Sequence, residues 1–70
     1  MEKYISVTST NIKAVAYIKE HKELIIVFKN DKKYKYYDVP EKNYLEFLGA
    51  SSKGKYLTEN IKKNFECDKI

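Results

Sequence analysis

Leu24-Ile25-Ile26-Val27-Phe28 is an unbroken apolar run between two polar clusters, Glu20-His21-Lys22-Glu23 and Lys29-Asn30-Asp31-Lys32. Five aliphatic and aromatic residues with such bounds read as a strand rather than a helix. Both faces of the run are apolar, as expected of a central strand. Leu24, Ile26 and Phe28 make the bulkier face, and Ile25 and Val27 make the other. The fold is built outward from this strand.

On its N-terminal side, Ile12–Lys19 (Ile-Lys-Ala-Val-Ala-Tyr-Ile-Lys) reads as a first strand that ends at the Glu20–Glu23 cluster. On its C-terminal side, Asn30 and Asp31 suit a turn, because both tolerate left-handed backbone and bond to it locally. Lys33–Val39 then reads as a third strand with Tyr34 and Tyr36 on one face. Short polar connections favour antiparallel neighbours, since parallel strands need long crossovers. Ile5 and Val7 alternate ahead of these strands and either form a short edge strand or cover one face.

The second half reads as helical. Pro40 suits a first helical turn, and Glu41 suits the positive end of the helix dipole. Tyr44, Phe47 and Leu48 recur at helical spacing, with Gly49 as the stop. Ser51 or Ser52 is positioned to cap a second helix, in which Leu57, Ile61 and Phe65 form one apolar stripe. Lys62 and Lys63 fall near its negative end. Such helices bury their stripes against one face of a sheet. The expected fold is α+β: a three-stranded antiparallel meander, with a short N-terminal edge strand as an option, packed against two C-terminal helices.

Length and composition bound the function. Seventy residues make one domain, 1–70. A chain of this size buries only about 60% of its unfolded surface, so its core is thin. The longest apolar runs, Ala14–Ile18 and Leu24–Phe28, are five residues. A membrane helix needs about 20. The opening Met1-Glu2-Lys3-Tyr4 carries no leader signature, so a cytoplasmic location is expected and no membrane contact. One cysteine, Cys67, excludes an intrachain disulfide, and one histidine, His21, leaves too few ligands for a structural zinc. Cys67 is expected in a frayed tail and His21 in a polar turn. No cofactor and no metal are expected.

All fourteen basic residues are lysine, against ten acidic ones, for a net charge of +4. That balance suits an acidic partner such as nucleic acid, or a solvated lysine coat. The lack of arginine removes the best bidentate reader of phosphate and guanine.

Two stretches carry candidate chemistry. Tyr34-Lys35-Tyr36-Tyr37, preceded by Lys33, interleaves aromatics with lysine, as a platform on which bases stack while lysines reach phosphates. The competing reading is structural, with Tyr34 and Tyr36 filling a sheet face. Ring orientation separates the two readings. Gly49–Tyr56 carries a Gly-x-x-x-x-Gly-Lys spacing. A nucleotide P-loop needs Ser or Thr where Tyr56 stands, and it follows a strand rather than a helix. The softer reading is a phosphate held where Ser52, Lys53, Gly54 and Lys55 open a helix; the competing one is a plain helix start with close packing at Gly54. No catalytic set emerges, because His21 has no reason to meet Ser9 or Ser51.

The order of these segments resembles the KTSC domain family, found at the C-terminus of some lysyl-tRNA synthetases and as stand-alone bacterial proteins. Ser9-Thr10-Asn11-Ile12 is similar to the family's opening segment, and Tyr17 and Leu24-x-x-Val27-Phe28 to its first strands. Tyr34-Lys35-Tyr36 with Val39-Pro40, and Ala50–Tyr56 with Asn60-Ile61, resemble the later motifs. The glycine often found before Tyr-x-Tyr is absent here, and Lys62 stands where arginine is usual. The resemblance covers about 9–65 as the domain core and implies a small domain of unestablished function, with RNA as the suggested partner. The expected function is a non-catalytic RNA-binding module. Its candidate site is Lys33, Tyr34, Lys35, Tyr36, Ser52, Lys53, Gly54, Lys55 and Tyr56. The alternative is a protein-interaction or regulatory module of bacterial or phage origin, since a tyrosine-rich surface also suits protein hot spots.

Overall fold

The apolar run lies at the centre of a five-stranded antiparallel sheet, as strand β3 (Glu23–Phe28). The computed structural model describes residues 3–70; Met1 and Glu2, part of the opening read above, lie outside them. The other strands are β1 (Ile5–Ser6), β2 (Ile12–Ile18), β4 (Lys33–Tyr36) and β5 (Cys67–Lys69). They follow one another across the sheet in chain order, so every neighbour is antiparallel. The meander of three is thus confirmed and extended at both edges. Ile5 makes the N-terminal edge. The tail expected to fray adds the fifth strand instead, through backbone pairing of Cys67 with Tyr36 and of Lys69 with Tyr34.

The turns follow local chemistry. Asp31 takes φ 67°, and the Asn30 carboxamide oxygen accepts from the Lys32 N–H at 3.1 Å. Lys22 and Asp38 also take positive φ, at 54° and 57°. Strand β4 ends at Tyr36, short of the expected Val39, and Asp38 turns the chain toward helix α1 (Glu41–Gly49). Pro40 caps α1 in extended backbone, and Glu41 occupies its first turn. Gly49 is the last helical residue but does not use left-handed backbone; the helix ends because Ala50 turns extended.

The second helix departs from a simple α-helix. Helix α2 (Lys53–Tyr56) passes directly into a π-helical stretch, Leu57–Ile61, closed by the Lys62 N–H donating to the Leu57 carbonyl at 2.7 Å. Ser52 stands at the N-cap, yet its hydroxyl makes no capping bond. The stripe still reaches its target. Leu57 and Ile61 are buried, and Phe65 packs against the same core.

Both helical segments sit on the face formed by Leu24 and Ile26. There Ile12, Val15, Tyr36, Val39, Tyr44, Phe47, Leu57 and Ile61 complete the core. Tyr17 stacks on Tyr44 at 4.7 Å and donates its hydroxyl proton to the Val39 carbonyl at 2.6 Å. Burial raises the pKa of both phenols, with Glu41 adding to the effect at Tyr17.

The opposite face carries no helix. Ile25 and Val27 are nonetheless only 2% and 7% exposed. By alternation from the Ile5–Val15 pair, Tyr4 lies on this face, beside the small Ala14 and Ala16. The Lys33 ammonium sits 5.5 Å from its ring centroid. Lys35 pairs with Glu23 at 3.6 Å, and the Tyr37 hydroxyl donates to Asp68 at 2.9 Å. No helix among the described residues is long and apolar enough to cross a membrane.

Candidate nucleic-acid interface

The strand pleat divides the expected Tyr–Lys platform. Tyr34 pairs with Ile26 and Tyr36 with Leu24, so both rings turn toward the helices. Lys33 and Lys35 point to the other side of the sheet, where Lys33 meets Tyr4 and Lys35 meets Glu23. Four residues read as one site are therefore two pairs on opposite faces. Tyr36 is 2% exposed and belongs to the core, so its ring cannot stack a base. Burial, with Cys67 alongside, pushes its phenol pKa up to about 12. Tyr34 is half-buried and packs edge-on against Phe28, ring centroids 5.7 Å apart. One face of this aromatic pair borders solvent.

That aromatic pair forms one wall of a cleft of about 450 Å³ between the sheet and the second helix. Its lining includes the core side chains Ile12, Tyr36 and Leu57. Asn11, Asn30, Lys32 and Lys62 also line it. Gly54 and Thr58 line it from the helix.

A second, more polar cleft of about 670 Å³ adjoins it, sharing Asn11, Gly54 and Thr58. It lies between the loop Thr8–Asn11 and the start of α2, with Ser51, Ser52, Lys53 and Lys55 on the helical side. The loop is shaped by Ser9, whose hydroxyl oxygen accepts from the Asn11 and Ile12 N–H groups at 3.3 Å each. It is tied to β3 by Lys29 N–H donating to the Asn11 carbonyl at 2.8 Å. Lys53 is steadied by a bond from its ammonium to the Ala50 carbonyl at 3.3 Å. Hydroxyl, carboxamide and ammonium groups thus line a trough that leads into an aromatic cleft.

The charge of the trough is one-sided. Lys32, Lys53, Lys55 and Lys62 line the joined clefts against a single carboxylate, Glu59. Three ion pairs form among the described residues, and they use Lys13, Lys19 and Lys35. None of the four trough lysines has a carboxylate within ion-pairing distance among the described residues.

The remaining expected site residue behaves differently. Tyr56 turns to α1, where its ring packs against Phe47 and its hydroxyl donates to Glu46 at 2.7 Å. Burial first, and that bond second, raise its pKa. It supports the second helix rather than lining either cleft. Ser52, Lys53, Gly54 and Lys55 do come together, but no P-loop results, because α1 precedes them. Phe28, Lys32, Thr58 and Lys62 line the trough without having been singled out for it. Asn11 joins them from the opening segment. His21 is exposed in its turn, and Cys67 is exposed on β5. No group of three metal-ligating side chains forms among the described residues.

A family model described as the KTSC domain matches residues 8–65. A crystal structure of a KTSC domain protein from Yersinia pestis is similar to this chain, with a TM-score of 0.95 and 33% identity. The match covers 100% of this chain and 99% of that one. Among curated proteins, none matches.

Proposed function

We propose that this chain, which belongs to the KTSC domain family, is a non-catalytic module that binds RNA along the trough between the Thr8–Asn11 loop and the second helix. The observation that carries this reading is the set of four lysines around the joined clefts, none paired with a carboxylate among the described residues. Lys13, Lys19 and Lys35 are each paired with a carboxylate; among the described residues the four trough lysines are not, and they converge on one trough where phosphates can meet them. Lysine ammonium groups act as point charges that follow a backbone and displace its counterions. Hydroxyls and carboxamides beside them match the ribose 2′-OH, which both donates and accepts. The Phe28–Tyr34 wall supplies apolar surface for a base.

The test is binding of short RNAs to the intact chain across a salt series. Affinity falls steeply with salt if phosphates are neutralised, with a log–log slope of about −0.7 per contact for a single strand. Lys53→Ala and Lys55→Ala each reduce that slope by about one contact. Absence of binding at low salt overturns the reading.

A second reading has its own observation. Tyr4 and Ile5 are 42% and 47% exposed at the N-terminal edge of the sheet, where the short strand β1 runs. An edge strand with exposed apolar side chains suits a protein partner that adds a strand. Binding there would depend little on salt and would be lost with Ile5→Lys.

A further inference from the structure

Gly54 is unexplained by the fold. It lies in the first turn of α2 without positive φ, so its backbone does not require glycine. A Cβ placed there would meet no neighbouring atom within 4 Å, so packing does not require glycine either. Glycine in a helix costs stability relative to alanine through backbone entropy. The position thus carries a cost for which the folded chain shows no return.

Its place in the trough supplies one. Gly54 lines both clefts, with Asn11 facing it from the loop and Thr58 one turn along the helix. The Thr58 hydroxyl donates back to the Gly54 carbonyl at 3.0 Å, which keeps that side chain folded onto the helix. The joint between the polar and the aromatic clefts is therefore kept low by a missing side chain.

We infer that the ligand of this trough is a single RNA strand, which crosses the bare backbone at Gly54 and places one base in the cleft walled by Tyr34 and Phe28. This rests on the RNA reading above and specifies the form of RNA. A duplex presents phosphates and groove edges while its base faces stay stacked inside. It has nothing to insert into a cleft with an apolar floor and an aromatic wall. A single strand has unstacked bases that fill such a cleft, while its phosphates pass Lys53 and Lys55 on one side and Lys62 on the other. A side chain at position 54 stands in that path, and the larger it is, the more it obstructs.

The experiment pairs stability with affinity on the full chain. Thermal melting and fluorescence anisotropy are measured for the unaltered protein, Gly54→Ala and Gly54→Leu, with a labelled ten-nucleotide RNA and the same sequence as a duplex. The expected result is preference for the single strand, unchanged or raised melting temperature in Gly54→Ala, and affinity lower by about threefold for Ala and about tenfold or more for Leu. Lower affinity without lost stability separates obstruction from unfolding. If both variants bind the single strand as tightly as the unaltered protein, or if the duplex is preferred, this inference is overturned and the RNA reading stands. If the unaltered protein binds neither RNA at low salt, the RNA reading itself fails.

Discussion

The two faces of the sheet bury similar aliphatic side chains by different means. On one face, Leu24 and Ile26 lie under two helical segments, Tyr36 joins them, and lysines of the second helix border a trough. On the other, Ile25 and Val27 are covered without a helix, beside Ala14, Ala16 and Tyr4, and the neighbouring Lys35 is paired. A face covered by side chains alone can be closed. A face covered by helices keeps a seam where helix and sheet diverge, and free charge gathers along it. Tyrosine and lysine in alternation on one strand thus serve different surfaces.

The largest expected contrast is in stability. Phe47→Ala removes the largest fully buried side chain beneath α1 and should cost about 3–5 kcal/mol. A domain of this size holds only about 4–10 kcal/mol in all. Val27→Ala on the open face should cost less, about 1–2 kcal/mol, because it removes two methyl groups rather than a phenyl ring. Urea denaturation checks both; a loss at Phe47 no larger than that at Val27 would contradict the placement of Phe47 in the core.

The next contrast appears in alkali. Tyr36 is held neutral by burial up to about pH 12, against 10.0 for an ordinary phenol. Tyr17, Tyr44 and Tyr56 are raised as well, each chiefly by burial. Above pH 10 the unfolded chain loses these protons first, so unfolding is favoured as pH rises. The stability due to Tyr36 is complete below pH 10 and fades as pH climbs toward 12, a change of about 2–3 kcal/mol. Urea midpoints at pH 8, 10 and 11 should fall in that order, and Tyr36→Phe should flatten the decline.

Smaller effects sharpen the assignment of the trough. Tyr34→Ala should weaken binding of a single-stranded RNA by about fivefold to a hundredfold, the range for loss of one stacked base. Smallest of all, Lys35→Ala should change stability by less than about 1 kcal/mol, because its ion pair with Glu23 is partly exposed. It should also leave RNA affinity nearly unchanged, as measured by the same anisotropy titration. A large loss on Lys35→Ala would move the binding surface to the open face.

Much of this could be read along the chain. The apolar run at Leu24–Phe28, the turn at Asn30-Asp31 and the Pro40-Glu41 helix start each rest on local chemistry, and each is found in place. Strand β5 escaped because Cys67-Asp68-Lys69 has no apolar alternation; its pairing is made by backbone groups, which every residue carries. The π-helical stretch escaped because Leu57 and Ile61 fall on one face in either helical form. The helix-start half of the site, Ser52 to Lys55, was visible as a cluster. The strand half failed on a rule also visible in sequence: alternation sends Lys33 and Lys35 away from Tyr34 and Tyr36. The Thr8–Asn11 loop joins the trough only through the antiparallel turn of β2, which no local pattern announces.

The central claim is that the trough, not the open face, receives RNA, and methyl NMR distinguishes the two directly. Thr8, Thr10 and Thr58 report the trough, and Ala14, Ala16, Ile25 and Val27 report the open face. With single-stranded RNA at low salt, the threonine methyls should shift, return as salt is raised, and leave the open-face methyls still. Shifts confined to Ala14, Ala16, Ile25 and Val27, or persisting unchanged at high salt, would contradict the account.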